Sequence, residues 1–164
     1  MTYYIDDLKP GLSESFTKTI TERDIQLFGE VSGDINPVHF DEEFAKTTMF
    51  KGRIAHGMLS ASYISTVLGM QIPGPGTIFM SLTTRFKAPV RIGETVVTTC
   101  TVREVNAEKR RVVFDCVCKV GDITVVEGEA MVMALGNPAP TSCAKVGPES
   151  TAIERPAPNS SCAT

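Results

Sequence analysis

The sequence predicts an α+β domain in which one buried helix lies against a long antiparallel sheet. Three observations predict it: an uncharged apolar run from Gly57 to Leu68, alternation with a period of two through most of residues 77–135, and short polar turns between the later alternating segments. At 164 residues the chain suits one domain, able to bury roughly two thirds of the surface its unfolded form exposes.

Taken in order, Ser13 to Ile20 reads as a short strand. Thr21, followed by Glu22 and Asp24, marks a helix start with acids in its first turn, and Gly33 marks its end. Asp41 caps a further short helix over Glu42 to Lys46, which makes Asp34 to His39 an irregular link between two helical pieces. From Gly57 to Leu68 only small hydroxyls interrupt the apolar residues, and a helix with no charged face is a buried one. Gly69 and the run Pro73-Gly74-Pro75-Gly76 end it. Thr77 to Lys87, Thr95 to Val105, Arg110 to Val120 and Ile123 to Leu135 then alternate as half-buried strands. The turns at 106–109 and 120–122 predict that these strands pair antiparallel in sequence order. On the last of them Val126, Gly128, Ala130, Val132 and Ala134 form a small-residue face on which a helix can lie close. The domain is expected to span 1–136, with Asn137 to Thr164, rich in Pro, Ala and Ser, as a disordered tail.

Charge and cysteine content narrow the functional classes. A net charge of −3 and a pI near 5.4 argue against a nucleic-acid surface. Acids at Asp6 and Asp7 stand where a targeting peptide would carry bases, and no apolar run is long enough to cross a bilayer, so a soluble cytoplasmic protein is expected. The five cysteines, at 100, 116, 118, 143 and 162, are an odd set without a second ligand pair at metal-binding spacing. Buried thiols are expected, with no disulfide framework and no metal.

The chemistry concentrates in Ser32-Gly33-Asp34-Ile35-Asn36-Pro37-Val38-His39 and in Arg53-Ile54-Ala55-His56-Gly57-Met58, which opens the apolar helix. The first holds a carboxylate, an amide and one of only two histidines around Pro37, which blocks a regular helix, with Gly33 admitting a turn that folds Asp34 and His39 towards a common point. The second places Gly57 at a helix N-terminus, where an amide has no intrahelical partner and the helix dipole favours negative charge. His56, just before it, reads as a hydrogen-bonding residue of the helix entry and not as a proton donor or acceptor.

The order of short helix, Ser-Gly-Asp-x-Asn-Pro-x-His, Ala-His-Gly-Met helix and four long strands resembles the MaoC-like (R)-specific enoyl-CoA hydratases of the hot-dog superfamily, over about residues 10–135. The resemblance implies a long central helix wrapped by a five-stranded antiparallel sheet, and a homodimer formed by joining sheets edge to edge. It implies reversible hydration of trans-2-enoyl-CoA to (R)-3-hydroxyacyl-CoA, as in the small hydratases that feed polyhydroxyalkanoate synthesis. Asp34 and His39 then form the catalytic pair, the Gly57 amide is the oxyanion donor, and Asn36 and Ser65 support them. Lys51, Arg53, Arg85 and Lys87 are candidate contacts for CoA phosphates. No cofactor is expected, because coenzyme A enters as part of the substrate, and the only other expected partner is the second subunit.

Hydration needs a group to activate water for attack at C3, a proton for C2, and stabilisation of charge on the thioester oxygen. A water gripped by Asp34 and His39 would deliver both of its parts to one face of the double bond. Leu68, with Tyr63, Ile64, Val67 and Met70 nearby, is expected to floor a shallow acyl pocket suited to chains of about four to six carbons. A hot-dog thioesterase, a 3-hydroxyacyl carrier-protein dehydratase and a non-catalytic acyl-CoA binding module are the alternatives. Thioesterase chemistry would release a thiol, and a binding module would need no acid–base pair.

Overall fold

A computed structural model of the chain describes residues 2–138, so the expectation of a disordered tail falls almost wholly outside the described residues. A turn of 3-10 helix at Ile5–Asp7 leads into β1 (Ser13–Thr19), α1 (Glu22–Ser32), α2 (Pro37–Phe40), α3 (Glu42–Thr47), α4 (Gly57–Met70), β2 (Ile78–Phe86), β3 (Thr95–Asn106), β4 (Arg111–Val120) and β5 (Ile123–Met133). Local chemistry sets most of these bounds. At the start of α1 the Thr21 hydroxyl accepts the Asp24 N–H at 3.2 Å, while the Asp24 carboxylate accepts the Thr21 N–H at 2.8 Å, a reciprocal capping box. The helix stops at Gly33, whose φ of 76° is a left-handed conformation open to glycine at little cost.

The link between α1 and α3 is more ordered than the sequence reading expects. Pro37 begins a four-residue helix instead of blocking one. At the first helical position its missing N–H costs nothing and its fixed φ suits the helix, and the Asn36 carboxamide accepts the Val38 N–H at 3.3 Å as the cap. His39 is thereby placed on a short rigid turn.

The five strands form one antiparallel sheet in the order β1-β3-β4-β5-β2. The tight turns do make β3, β4 and β5 sequential neighbours, but β2 pairs with β5 and not with β3, which corrects the expectation of pairing in sequence order. The reason lies in the segment at 87–94. Ala55 donates to the Val90 carbonyl at 2.7 Å, Gly93 donates to that of Ile20 at 2.8 Å, and Ile20 donates to that of Glu94 at 2.9 Å. The chain therefore crosses from one sheet edge, past the start of α4, to the other edge, where β3 meets β1.

Helix α4 lies on the inner face of this sheet, with Leu59, Ala61, Tyr63, Ile64, Val67 and Leu68 buried against strand residues such as Val112, Phe114, Ala130 and Val132. Its opposite side is open: Met58 and Met70 are 53% and 65% exposed, and Ser62 and Ser65 are exposed with them. Edge strand β2 is open as well, with Ile78, Phe79 and Met80 exposed. Beneath α4, Cys100 sits directly across from Cys116 in the β3–β4 ladder, and these two thiols and that of Cys118 are free and fully buried.

Candidate active site

The turn at Asp34, just before α2, and the N-terminus of α4 meet at a cavity of about 460 Å³ walled by Asp34, Ile54, Gly57, Phe86, Lys87 and Val126, among others. Asp34 follows the Gly33 turn, and its carboxylate accepts the Asn36 N–H at 3.2 Å, which orients an otherwise exposed acid. His39 is 8% exposed. Its Nδ1 lies 2.9 Å from the Ile54 carbonyl, and since a carbonyl only accepts, Nδ1 carries the ring hydrogen and Nε2 keeps a lone pair. Burial pushes the His39 pKa below its ordinary 6.5; the nearby His56 adds to that shift, and the Ile54 hydrogen bond and Asp34 oppose it. At neutral pH the ring is therefore an uncharged proton acceptor.

His56 joins these groups. Its Nε2 donates to the Asp34 carbonyl at 2.9 Å, and its ring stacks on that of His39 with centroids 3.8 Å apart and planes 32° apart. Phe28 and Phe40 pack on its other sides at 4.9 and 5.7 Å. One side-chain atom each of Asp34, His39 and His56 lies within 4.8 Å of the others. That span fits a water making hydrogen bonds of roughly 2.8 Å to two of them. The same carboxylate and two imidazoles are the described residues that could hold a metal ion, as a donor set suited to a transition metal.

Gly57 opens α4, and its N–H has no acceptor among the described residues. A Cβ at this position would lie 2.8–2.9 Å from ring carbons of Phe86, so glycine is what lets the aromatic ring pack against the start of α4.

The candidate residues divide by placement. Asp34, Gly57 and Lys87 line the cavity, with His39 stacked behind His56. Asn36 caps α2. Ser65 lies on the open side of α4, two turns beyond Gly57. Leu68 is 1% exposed, packed in the core under the sheet and not in the cavity wall. Among the bases, Lys51 is exposed and Lys87 pairs with Glu127 at 3.2 Å. Arg85 is exposed on β2, on the far side of the sheet edge. Arg53 is occupied: its Nε donates to the His39 carbonyl at 2.7 Å and its Nη2 to Glu22 at 2.8 Å, so it braces the α2 turn. Sequence reasoning missed this brace, the Phe86 ring over Gly57 and the contacts of His56. The available signal was that both histidines sit in the two motifs.

The chain matches the family described as MaoC like domain over residues 9–122. It is 53% identical over 131 residues to an (R)-specific enoyl-CoA hydratase of Rhodospirillum rubrum, covering 80% of this chain and 91% of that one. It is 47% identical to a 3-hydroxybutyryl-CoA dehydratase of Methylorubrum extorquens, covering 79% and 82% of the two chains. Among solved structures it resembles an R-hydratase of Pseudomonas aeruginosa in the unliganded form, with a TM-score of 0.78, 40% identity and coverage of 92% and 97%. It also resembles an (R)-hydratase from A. caviae involved in PHA biosynthesis, with a TM-score of 0.75, 34% identity and coverage of 77% and 97%.

Proposed function

The chain belongs to the MaoC-like domain family, and on that premise we propose that it is a hydro-lyase that adds water to trans-2-enoyl-CoA to give (R)-3-hydroxyacyl-CoA, and runs the reverse dehydration. The observation that carries this reading is the convergence of the Asp34 carboxylate and the uncharged His39 ring within 4.8 Å, beside an apolar cavity that opens on the unpartnered Gly57 amide.

The thioester carbonyl accepts the Gly57 N–H, and the dipole of α4 favours the charge that grows on that oxygen as C3 is attacked. A water between Asp34 and the His39 Nε2 donates a hydrogen to each, which leaves a lone pair for C3. The pair takes up the water's proton and returns one to C2 from the same side, so the addition is syn. Phe86 and Val126 give the enoyl group an apolar surround. The exposed Lys51 is the base free to meet CoA phosphates and Lys87, which lines the cavity, would meet them by leaving Glu127, whereas Arg53 holds the His39 turn. The product would supply polymer synthesis or related acyl-CoA metabolism in the cytoplasm. No helix among the described residues is long and apolar enough to cross a membrane.

The functional unit in this proposal is a homodimer. An open edge at β2 and an open side of α4 carrying Met58, Ser65 and Met70 together leave apolar surface that a symmetric second copy would cover. Ser65 then faces the partner near the site.

Incubation with crotonyl-CoA, following enoyl absorbance and free thiol together, tests the activity. Loss of the enoyl signal without thiol supports hydration, and thiol release would replace it with thioesterase chemistry.

A further inference from the structure

We propose that His56 is the positioning residue that holds Asp34, His39 and the Gly57 amide in mutual register, through its hydrogen bond to the Asp34 carbonyl and its stacking on the His39 ring; the proposal rests on the hydration reading above. Three features support it. His56 is joined to all three components: Asp34 through the 2.9 Å bond from its Nε2, His39 through rings 3.8 Å apart, and Gly57, which lines the cavity, as its covalent neighbour at the start of α4. No other described residue makes all three connections.

The ordinary explanation for a polar residue here also fails. His56 is the N-cap of α4, yet its side chain makes no cap hydrogen bond, so it is not present to start the helix. Its ring is 2% exposed and its Nδ1 is buried without a partner. An apolar ring would fill the same space beside Phe28 and Phe40 without leaving a polar atom unpaired.

The contact also supplies a restraint that the site otherwise lacks. Asp34 follows the left-handed Gly33, and among the described residues its side chain is tied only to the Asn36 amide, within the same turn. The His56 bond fixes that turn to the helix bearing Gly57. His39 is held at one edge by Ile54 and on one face by His56, so its Nε2 has a set direction.

Two substitutions separate the hydrogen bond from the ring. In His56→Phe the stacking surface remains and the donor is lost. In His56→Gln an N–H donor remains and the ring is lost. We expect H56F to lower kcat at least about tenfold with KM within about twofold, because a small misplacement of reacting groups is costly, and H56Q, which loses the stack but keeps the dominant donor, to lower kcat by about threefold. On an Asp34→Ala background H56F should cost less than about twofold, since a residue acting through Asp34 has nothing left to position. H56F with wild-type kcat, or H56Q as impaired as H56F, overturns the proposal, as does a full H56F penalty in the absence of Asp34. Should H56F fail to fold by circular dichroism, His56→Met takes its place, and failure of both to fold makes His56 a structural residue and overturns the proposal. Wild-type protein that does not hydrate crotonyl-CoA defeats the hydration reading itself, and the proposal with it. Active wild type with an unaltered H56F defeats only the role of His56.

Discussion

The molecule holds two clusters of reactive side chains, one of buried thiols and one that joins two buried histidines to an exposed carboxylate, and only the second is placed to do chemistry. Cys100, Cys116 and Cys118 lie under α4 in the β3–β4 ladder, and Asp34, His39 and His56 lie at the N-terminus of α4. Burial disfavours charge at Cys100 and Cys118 in the first and at His39 in the second. The hydrogen bond with Cys116, together with burial, pushes the Cys100 thiol up, burial pushes up Cys118, and burial pushes His39 down. For a thiol the uncharged form is the inert one, whereas for an imidazole it is the base. The same desolvation therefore silences Cys100 and Cys118 and readies His39, whose neighbours Asp34 and His56 line the apolar cavity.

The sharpest way to break this contrast is to remove the acid–base pair. Asp34→Asn and His39→Gln should each lower kcat for crotonyl-CoA by at least about a hundredfold, the usual scale of a lost general acid or base, with the thermal midpoint changed by only a few degrees. Near-normal turnover in either folded variant would place the chemistry elsewhere. Gly57→Ala should cost about tenfold or more, because the new methyl group meets the Phe86 ring and displaces it or the amide. Adding Phe86→Leu to that variant should recover part of the loss.

The thiol cluster should respond in the opposite sense. Cys116→Ala should leave kcat/KM within about twofold while lowering stability to urea by about 1 kcal/mol, a typical cost for trimming a buried side chain. In native protein treated with iodoacetamide at pH 8, peptide mass mapping should find residues 100, 116 and 118 unmodified, and modified once the chain is unfolded.

Much of this was legible in the sequence because it is local chemistry. Thr21 with Asp24, Gly33, the uncharged helix and the alternating strands each state their own structure, and Asp34, His39 and Gly57 stand in two short motifs. What was not legible depends on distant partners. The position of β2 beside β5 is set by hydrogen bonds from Ala55 to Val90 and between Ile20 and the turn at 93–94, and no local pattern encodes them. Arg53 read as a phosphate contact because an arginine in sequence shows only its charge, and the fold spends that charge on the His39 carbonyl and Glu22. Pro37 read as a break because proline starts a helix as readily as it stops one, and the Asn36 cap decides between the two. Leu68 read as a pocket floor because helix periodicity gives a face but not which part of that face the cavity reaches.

The smallest expected effect is in pH dependence. With the His39 pKa held below 6.5, the acid limb of kcat/KM should have its midpoint below that value. Stability should also fall as pH drops from 6.5 towards the folded-state value, because in that window the unfolded chain binds the proton first. A midpoint above 6.5 would mean that burial does not control this histidine.

The account turns on one water held between Asp34 and His39 on a single face of the substrate. Hydration of crotonyl-CoA in deuterium oxide, with the relative configuration at C2 and C3 read from proton coupling in the product, tests it most directly. The account predicts one diastereomer, with deuterium and hydroxyl added syn and C3 in the (R) configuration. Anti addition, a mixture of diastereomers or an (S) product would contradict it.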